Sequence, residues 1–261
     1  MKIIAISNQK GGVGKTTTCV NLAASLAATK RRVLLIDLDP QGNATTGSGV
    51  EKSAMKKTIY HVLIGKNALK EVIQPSVKGK FDVAPANRDL AGAEVELVNE
   101  IARETRLKAA LKEVQGEYDY VLIDCPPALS LITVNALTAA HAVMIPMQCE
   151  YFALEGLSDL VNTIRKVRQH LNPELEIEGL LRTMFDNRNT LAQQVSGELA
   201  QHFGDKVYRT VIPRNIRLAE APSYGVPVLF HDRTSKGAQA YLALAGEIIN
   251  RQSRARAAET S

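Results

Sequence analysis

The sequence predicts an α/β fold, a mainly parallel twisted sheet with helices on both faces. Short β-rich runs alternate along the chain with stretches of helical apolar spacing, the order expected when each strand is followed by a covering helix. The first run, KIIAIS, is apolar nearly throughout, as in a strand buried on both faces. A glycine-rich segment and three aspartates fall where such runs end, which is where open parallel sheets bind their ligands.

The elements follow in order. After KIIAIS, the stretch from Gly14 to about Thr29 places Val20, Leu22, Ala23, Leu26 and Ala27 at helical spacing. RRVLLIDLD is the next strand, and YDYVLIDCPP another, stopped by Pro126 and Pro127. HAVMIPMQCE, EIEGLLRTMFD and KVYRTVIPR read as further strands. LEGLSDLVNTIRKVRQHL, NTLAQQVSGELAQHF and the closing SKGAQAYLALAGEIINRQ read as helices.

No Pro/Ser/Gly-rich linker divides the 261 residues and no solenoid repeat recurs, so one domain over 1–261 is expected, with 251–261 as a flexible tail. Cys19, Cys125 and Cys149 fit no metal-ligand spacing and read as buried thiols in a reducing cytoplasm. The N-terminus runs straight into a strand, without the pattern of a signal peptide, and no apolar run approaches a membrane span. A net charge of +5 is modest, so the position of the basic residues matters more than their sum.

GGVGKTT follows a strand and opens a helix. Backbone N–H groups from Gly11 through Gly12, Val13, Gly14 and Lys15 to Thr16 can wrap a polyphosphate at the positive end of the helix dipole. Lys15 would reach the terminal phosphates, and the Thr16 hydroxyl would be a Mg2+ ligand. The strict loop pattern wants glycine where this chain has Gln9, so the loop is a variant. Asp124 ends YVLID as a second acidic anchor for the metal. Asp37 and Asp39 occupy alternate strand positions, so their side chains would point the same way, toward a metal-phosphate centre. Lys10 is a second lysine, five residues ahead of Lys15. At the outer lip of the loop it is badly placed to reach its own nucleotide and better placed to cross to a facing one, which implies a nucleotide-sandwich dimer.

KGGVGKTT, LLIDLDPQGNATTG, YDYVLIDCPP, PMQCEYFALEGL and IPRNIRLAEAPSYGVPV occur in this order over almost the whole chain. Together they resemble the deviant-Walker ATPases of the ParA/Soj chromosome-partitioning type, a P-loop NTPase fold. The resemblance implies ATP and Mg2+ as cofactors and slow hydrolysis by an ATP-bound homodimer. Lys10 is then the lysine that contacts ATP in the partner subunit, and Lys10, Lys15 and Asp39 are catalytic, with Asp39 supporting water attack. The nucleotide would lie on residues 10–17, Thr17 included, with Pro213 and Asn215 lining the adenine pocket. Thr16 would bind the metal directly, Asp124 and Asp37 through water. Gly11 would have to be small because the dimer closes against it.

The same resemblance implies sequence-independent binding to double-stranded DNA, a nucleoid-associated cytoplasmic location and a ParB-type centromere-binding partner that stimulates hydrolysis. Arg188, Arg214 and Arg217, placed in loops after strands, suit phosphate contact without base reading. Three rival readings fit the residues less well. A MinD-like membrane ATPase needs an amphipathic tail, whereas INRQSRARAAETS has no bulky apolar residue after Ile249. An iron–sulfur reductase of the nitrogenase type needs paired bridging cysteines, and Cys125 has no obvious second ligand. A DNA-coating scaffold with negligible hydrolysis sits poorly with Asp39 beside Lys10 and Lys15.

Overall fold

The computed structural model describes residues 1–259. Seven strands form one sheet: β1 (Lys2–Ile6), β2 (Val33–Asp37), β3 (Gln74–Ser76), β4 (Phe81–Ala84), β5 (Tyr120–Asp124), β6 (Ala142–Met147) and β7 (Glu176–Arg182). Their order is β3-β4-β2-β5-β1-β6-β7, all parallel except β3 against β4. β1 is central, with β5 on one side and β6 on the other. The chain leaves β1 for β2 on the β5 side and leaves β5 for β6 on the opposite side, so a crevice opens beyond the end of β1.

The strand pleat divides the core in two. Ile3, Ala5, Leu34, Ile36, Val121 and Ile123 pack on one face, under helices that include Leu131–Ala139, Ala153–His170 and Thr190–Phe203. Ile4, Ile6, Leu35 and Leu122 turn to the other face, covered by the helices Lys15–Ala28 and Lys236–Glu259. Successive side chains point to opposite faces, so a strand apolar throughout is satisfied only when both are covered.

One expectation is corrected. KVYRTVIPR is no strand; it meets β7 and its extension at isolated bridges, where the Tyr208 and Ile212 N–H groups donate to the Leu180 and Arg182 carbonyls. Side chains take up other backbone groups between these points: Arg182 donates to the Tyr208 and Arg209 carbonyls, and Glu247 accepts from the Arg209 and Thr210 N–H groups. Residues 251–259, expected as part of a flexible tail, continue the helix Lys236–Glu259; at its root Arg251 lies over the Tyr208 ring and donates to the Val207 carbonyl, and Gln252 bonds Tyr120. The rest of that expectation, residues 260–261, lies outside the described residues. The β3–β4 hairpin and the short helices between 43 and 111 add to the elements read from sequence. No helix among the described residues is long and apolar enough to cross a membrane.

Candidate nucleotide site

The loop between β1 and the helix Lys15–Ala28 is held from both sides. Asn8 donates to the Pro146 carbonyl at 2.8 Å and accepts from the Lys10 N–H at 3.0 Å. From the β7 side, buried Thr183 donates to the Val13 carbonyl at 2.7 Å. Gly12 and Gly14 sit at φ of 73° and 87°, a region that side chains disfavour, so the loop can turn its amides inward only with glycine there. Thr183 and the Gln148 side chain, which donates to the Gly12 carbonyl, complete the frame.

At the foot of this loop, Lys15 is buried and its ammonium donates to the Lys10 carbonyl at 3.0 Å. Burial pulls its pKa down, opposed by the charges of Asp124, Cys125 and Asp39. Thr16 Oγ1 donates to Asp124 Oδ2 at 2.7 Å. The other oxygen, Asp124 Oδ1, is buried without a hydrogen-bond partner. An orphaned buried acceptor is costly, and a hydrated cation would satisfy it. Burial, then the nearby charge of Asp37, pushes the Asp124 carboxyl well above the ordinary range, the electrostatic signature of a site lacking positive charge. The Thr16 hydroxyl and the Asp124 carboxylate are therefore oxygen groups that would fit a hydrated Mg2+ ion.

Asp37 and Asp39 differ in their surroundings, though both charges reach Asp124. β2 stops at Asp37, and the chain turns at Asp39, so the strand alternation does not extend between them. Asp37 lies opposite Asp124 in the β2–β5 register but is fully buried and turned to Thr45. Its Oδ2 accepts from the Thr45 N–H at 2.8 Å and the Thr45 hydroxyl at 2.7 Å, and its Oδ1 accepts from the Asp39 N–H. Burial still raises its pKa from 3.8 to about 6. Asp39 is half-buried and lines the main cavity.

That cavity, about 520 Å3, runs from the phosphate loop over Thr16 and Thr17 to Met184, Pro213, Asn215 and Tyr241. Pro213 and Asn215 thus line the same cavity as the phosphate loop. Asn215 is fixed by capping the helix Ile216–Glu220, accepting from the Leu218 N–H. Lys10 stands outside the cavity, exposed, with its ammonium 2.5 Å from Glu150. Gly11 is exposed, and a Cβ built there meets nothing within 4 Å.

The three arginines differ. Arg188 folds back in a fork on Asp186, at 3.0 and 2.8 Å. Arg217 is the second residue of the helix Ile216–Glu220 rather than part of a loop, and pairs with Glu220 at 2.8 Å and Asp232 at 3.4 Å. Arg214 lines the main cavity and a smaller neighbouring one of about 190 Å3. Thr45, Thr183 and Glu150, which hold Asp37, the phosphate loop and Lys10, were not singled out from sequence. Thr45 and Glu150 lie within motifs that were, whereas Thr183 is marked by no local pattern.

Residues 1–177 match a family model described as an AAA domain. Soj of Bacillus subtilis, a sporulation initiation inhibitor protein, is 57% identical over 247 residues, covering 95% of this chain and 98% of that one. The chromosome partitioning protein ParA of Myxococcus xanthus is 53% identical, covering 96% and 88%. The chain belongs to the ParA/Soj family of partition ATPases. Among solved structures, the cobyrinic acid a,c-diamide synthase of Mycobacterium smegmatis with bound ADP and magnesium is 37% identical and superposes with a TM-score of 0.85 over 97% of this chain and 96% of that one. A partition ATPase with a P-loop on a mainly parallel sheet is thus the frame in which the site works.

Proposed function

We propose that this chain hydrolyses ATP with Mg2+ as an ATP-bound sandwich dimer, that the dimer binds DNA without sequence preference, and that a ParB-type partner stimulates hydrolysis to drive segregation. The observation that carries the reading is the pairing of an inward site with an outward lysine. Thr16 and the orphaned Asp124 Oδ1 face a metal position beside Lys15, while Lys10 and Gly11 of the same loop face solvent. Nothing in the protomer needs a lysine there; an exposed pair with Glu150 is worth little.

In this mechanism the loop amides and Lys15 hold the phosphates, and Thr16 with Asp124 holds Mg2+, which when bound offsets charge on the transferring phosphoryl group. Asp39, at the cavity wall, orients the attacking water. Lys10, released from Glu150, crosses to the facing subunit and adds the cation that phosphoryl transfer gains from most. Arg188, Arg214 and Arg217 meet DNA phosphates, and dimerisation doubles that basic surface.

Gly11→Val tests the dimer. The protomer has room for the side chain, so folding and ATP binding should persist while the facing loop is blocked. Analytical ultracentrifugation should show a dimer with ATP and Mg2+ for wild type and a monomer for the variant. A Gly11→Val chain that dimerises like wild type overturns the sandwich.

A further inference from the structure

The chain is basic overall, yet residues 89–101, DLAGAEVELVNEI, hold four carboxylates and neither lysine nor arginine. Leu90, Ala93 and Leu97 of this stretch are buried and fasten it to the body. Their spacing leaves Val95, Val98 and Ile101 turned outward, 76%, 54% and 91% exposed. One exposed aliphatic side chain needs no explanation, but three in seven residues among acidic groups form a patch. Ile101 is followed by Ala102 at φ 56°, a left-handed conformation that costs an alanine about 1 kcal/mol and is kept where the surroundings impose it. Among the described residues Arg106, paired with Glu100, is the one cation bound to these carboxylates; Glu96 accepts from the Tyr60 hydroxyl.

The patch is also connected to the site. The short helix Ala93–Glu96 and the turn Arg103–Thr105 pack on the helix Leu131–Ala139, and Asn135 of that helix donates to the Arg103 carbonyl and accepts from the Leu107 N–H. The same helix is led in by residues 125–130, which follow Asp124 directly.

We propose that residues 89–101 are the docking surface for a basic amphipathic segment of a partner protein. Its lysines and arginines would meet Asp89, Glu94, Glu96 and Glu100, and its aliphatic side chains would cover Val95, Val98 and Ile101. Charge selects this occupant: DNA and anionic lipid surfaces are repelled by the carboxylates. The proposal rests on the reading that a ParB-type partner stimulates hydrolysis, and it assigns the docked segment a route through the helix Leu131–Ala139 to the loop after Asp124.

The probe is a short fluorescein-labelled synthetic peptide that alternates lysine–arginine pairs with leucines, titrated against the full chain with ATP and Mg2+ by fluorescence anisotropy. Saturable binding that weakens with salt is expected. The exposed-site variants Val95→Ser/Ile101→Ser and Glu94→Lys/Glu100→Lys should each weaken it by about tenfold, with thermal melts close to wild type. Variants that bind like wild type, or a wild type with no saturable binding, overturn the proposal. So do variants that lose the ATP-dependent dimer without peptide, since the patch would then be a contact between copies. ATPase rates separate the two readings: peptide that binds at 89–101 without raising the rate supports the docking surface and removes the stimulation.

Discussion

Replacing Thr45 with valine keeps the volume of a fully buried side chain and removes two hydrogen bonds at once. The hydroxyl donates to Asp37 Oδ2 at 2.7 Å and accepts from the Ala86 N–H at 3.0 Å. A bond to a carboxylate is worth about 1.5–3 kcal/mol and a stranded buried N–H costs about 1–3 kcal/mol, so Thr45→Val should cost roughly 4 kcal/mol where Asp37 is ionised. The loss depends on pH. Burial raises Asp37 from 3.8 to about 6, so the folded state binds this proton more tightly than the unfolded one. The group's contribution to stability therefore falls as pH rises from about 4 to 6 and is level above, a span of about 3 kcal/mol. The Thr45 hydroxyl opposes that rise, so valine lifts the Asp37 pKa further, and the variant keeps losing stability above pH 6 where wild type is level. The difference between the proteins should grow from roughly 2 kcal/mol at pH 5 to roughly 4 kcal/mol at pH 8. Urea denaturation followed by circular dichroism at both pH values measures it. A difference that is constant with pH, or below about 1 kcal/mol, refutes the assignment of Thr45 as the support of an ionisable Asp37.

Lys15→Ala should lose productive nucleotide binding, whereas Asp39→Ala should bind ATP and dimerise but hydrolyse little and persist on DNA; equal loss of binding in isothermal titration would remove the separation of roles. Arg217→Glu should abolish DNA binding in fluorescence anisotropy with the ATP dimer intact, and Arg214→Glu should weaken it. Because Glu220 holds Arg217, Glu220→Gln should free the guanidinium and tighten DNA binding, and log affinity should fall by ~0.9 per phosphate contact against log salt. An Arg217→Glu dimer that holds DNA at full affinity places the DNA surface elsewhere.

What could be read ahead of the structure follows from where each signal is stored. β1, β2, β5 and β6 carry their burial in their own composition, because a strand covered on both faces must be apolar at nearly every position. Lys15, Thr16 and Asp124 are similarly local: Lys15 and Thr16 open the helix that follows β1, Asp124 ends β5, and the structure brings Thr16 and Asp124 into contact. Between residues 43 and 111 the helices have only three to six residues, too short for an apolar period to show, and they exist because Leu63, Leu69, Leu90 and Leu107 pack into one core. KVYRTVIPR failed for the converse reason. Its composition favours a strand, but the Arg182 guanidinium and the Glu247 carboxylate, distant in sequence, hold its backbone groups. For the aspartate pair the strand alternation gives no guide, since β2 ends on the first of the two; Asp37 is buried against Thr45 and Asp39 lines the cavity.

Lys10 shows the same division most sharply. Its place in the loop is local, and so the outward lip position was legible. Its partner is not: in the protomer its ammonium meets Glu150, 140 residues away, across an exposed pair whose small net gain is easily exchanged. A lysine held weakly by its own chain, beside a Gly11 with nothing against it, is poised to change partners when a second loop arrives. A buried Lys10–Glu150 pair would cost several kcal/mol to break and would oppose closure. On the proposed sandwich, that exposure would serve the mechanism: the pair would keep the lysine at the lip in the monomer and surrender it to the facing phosphates in the dimer.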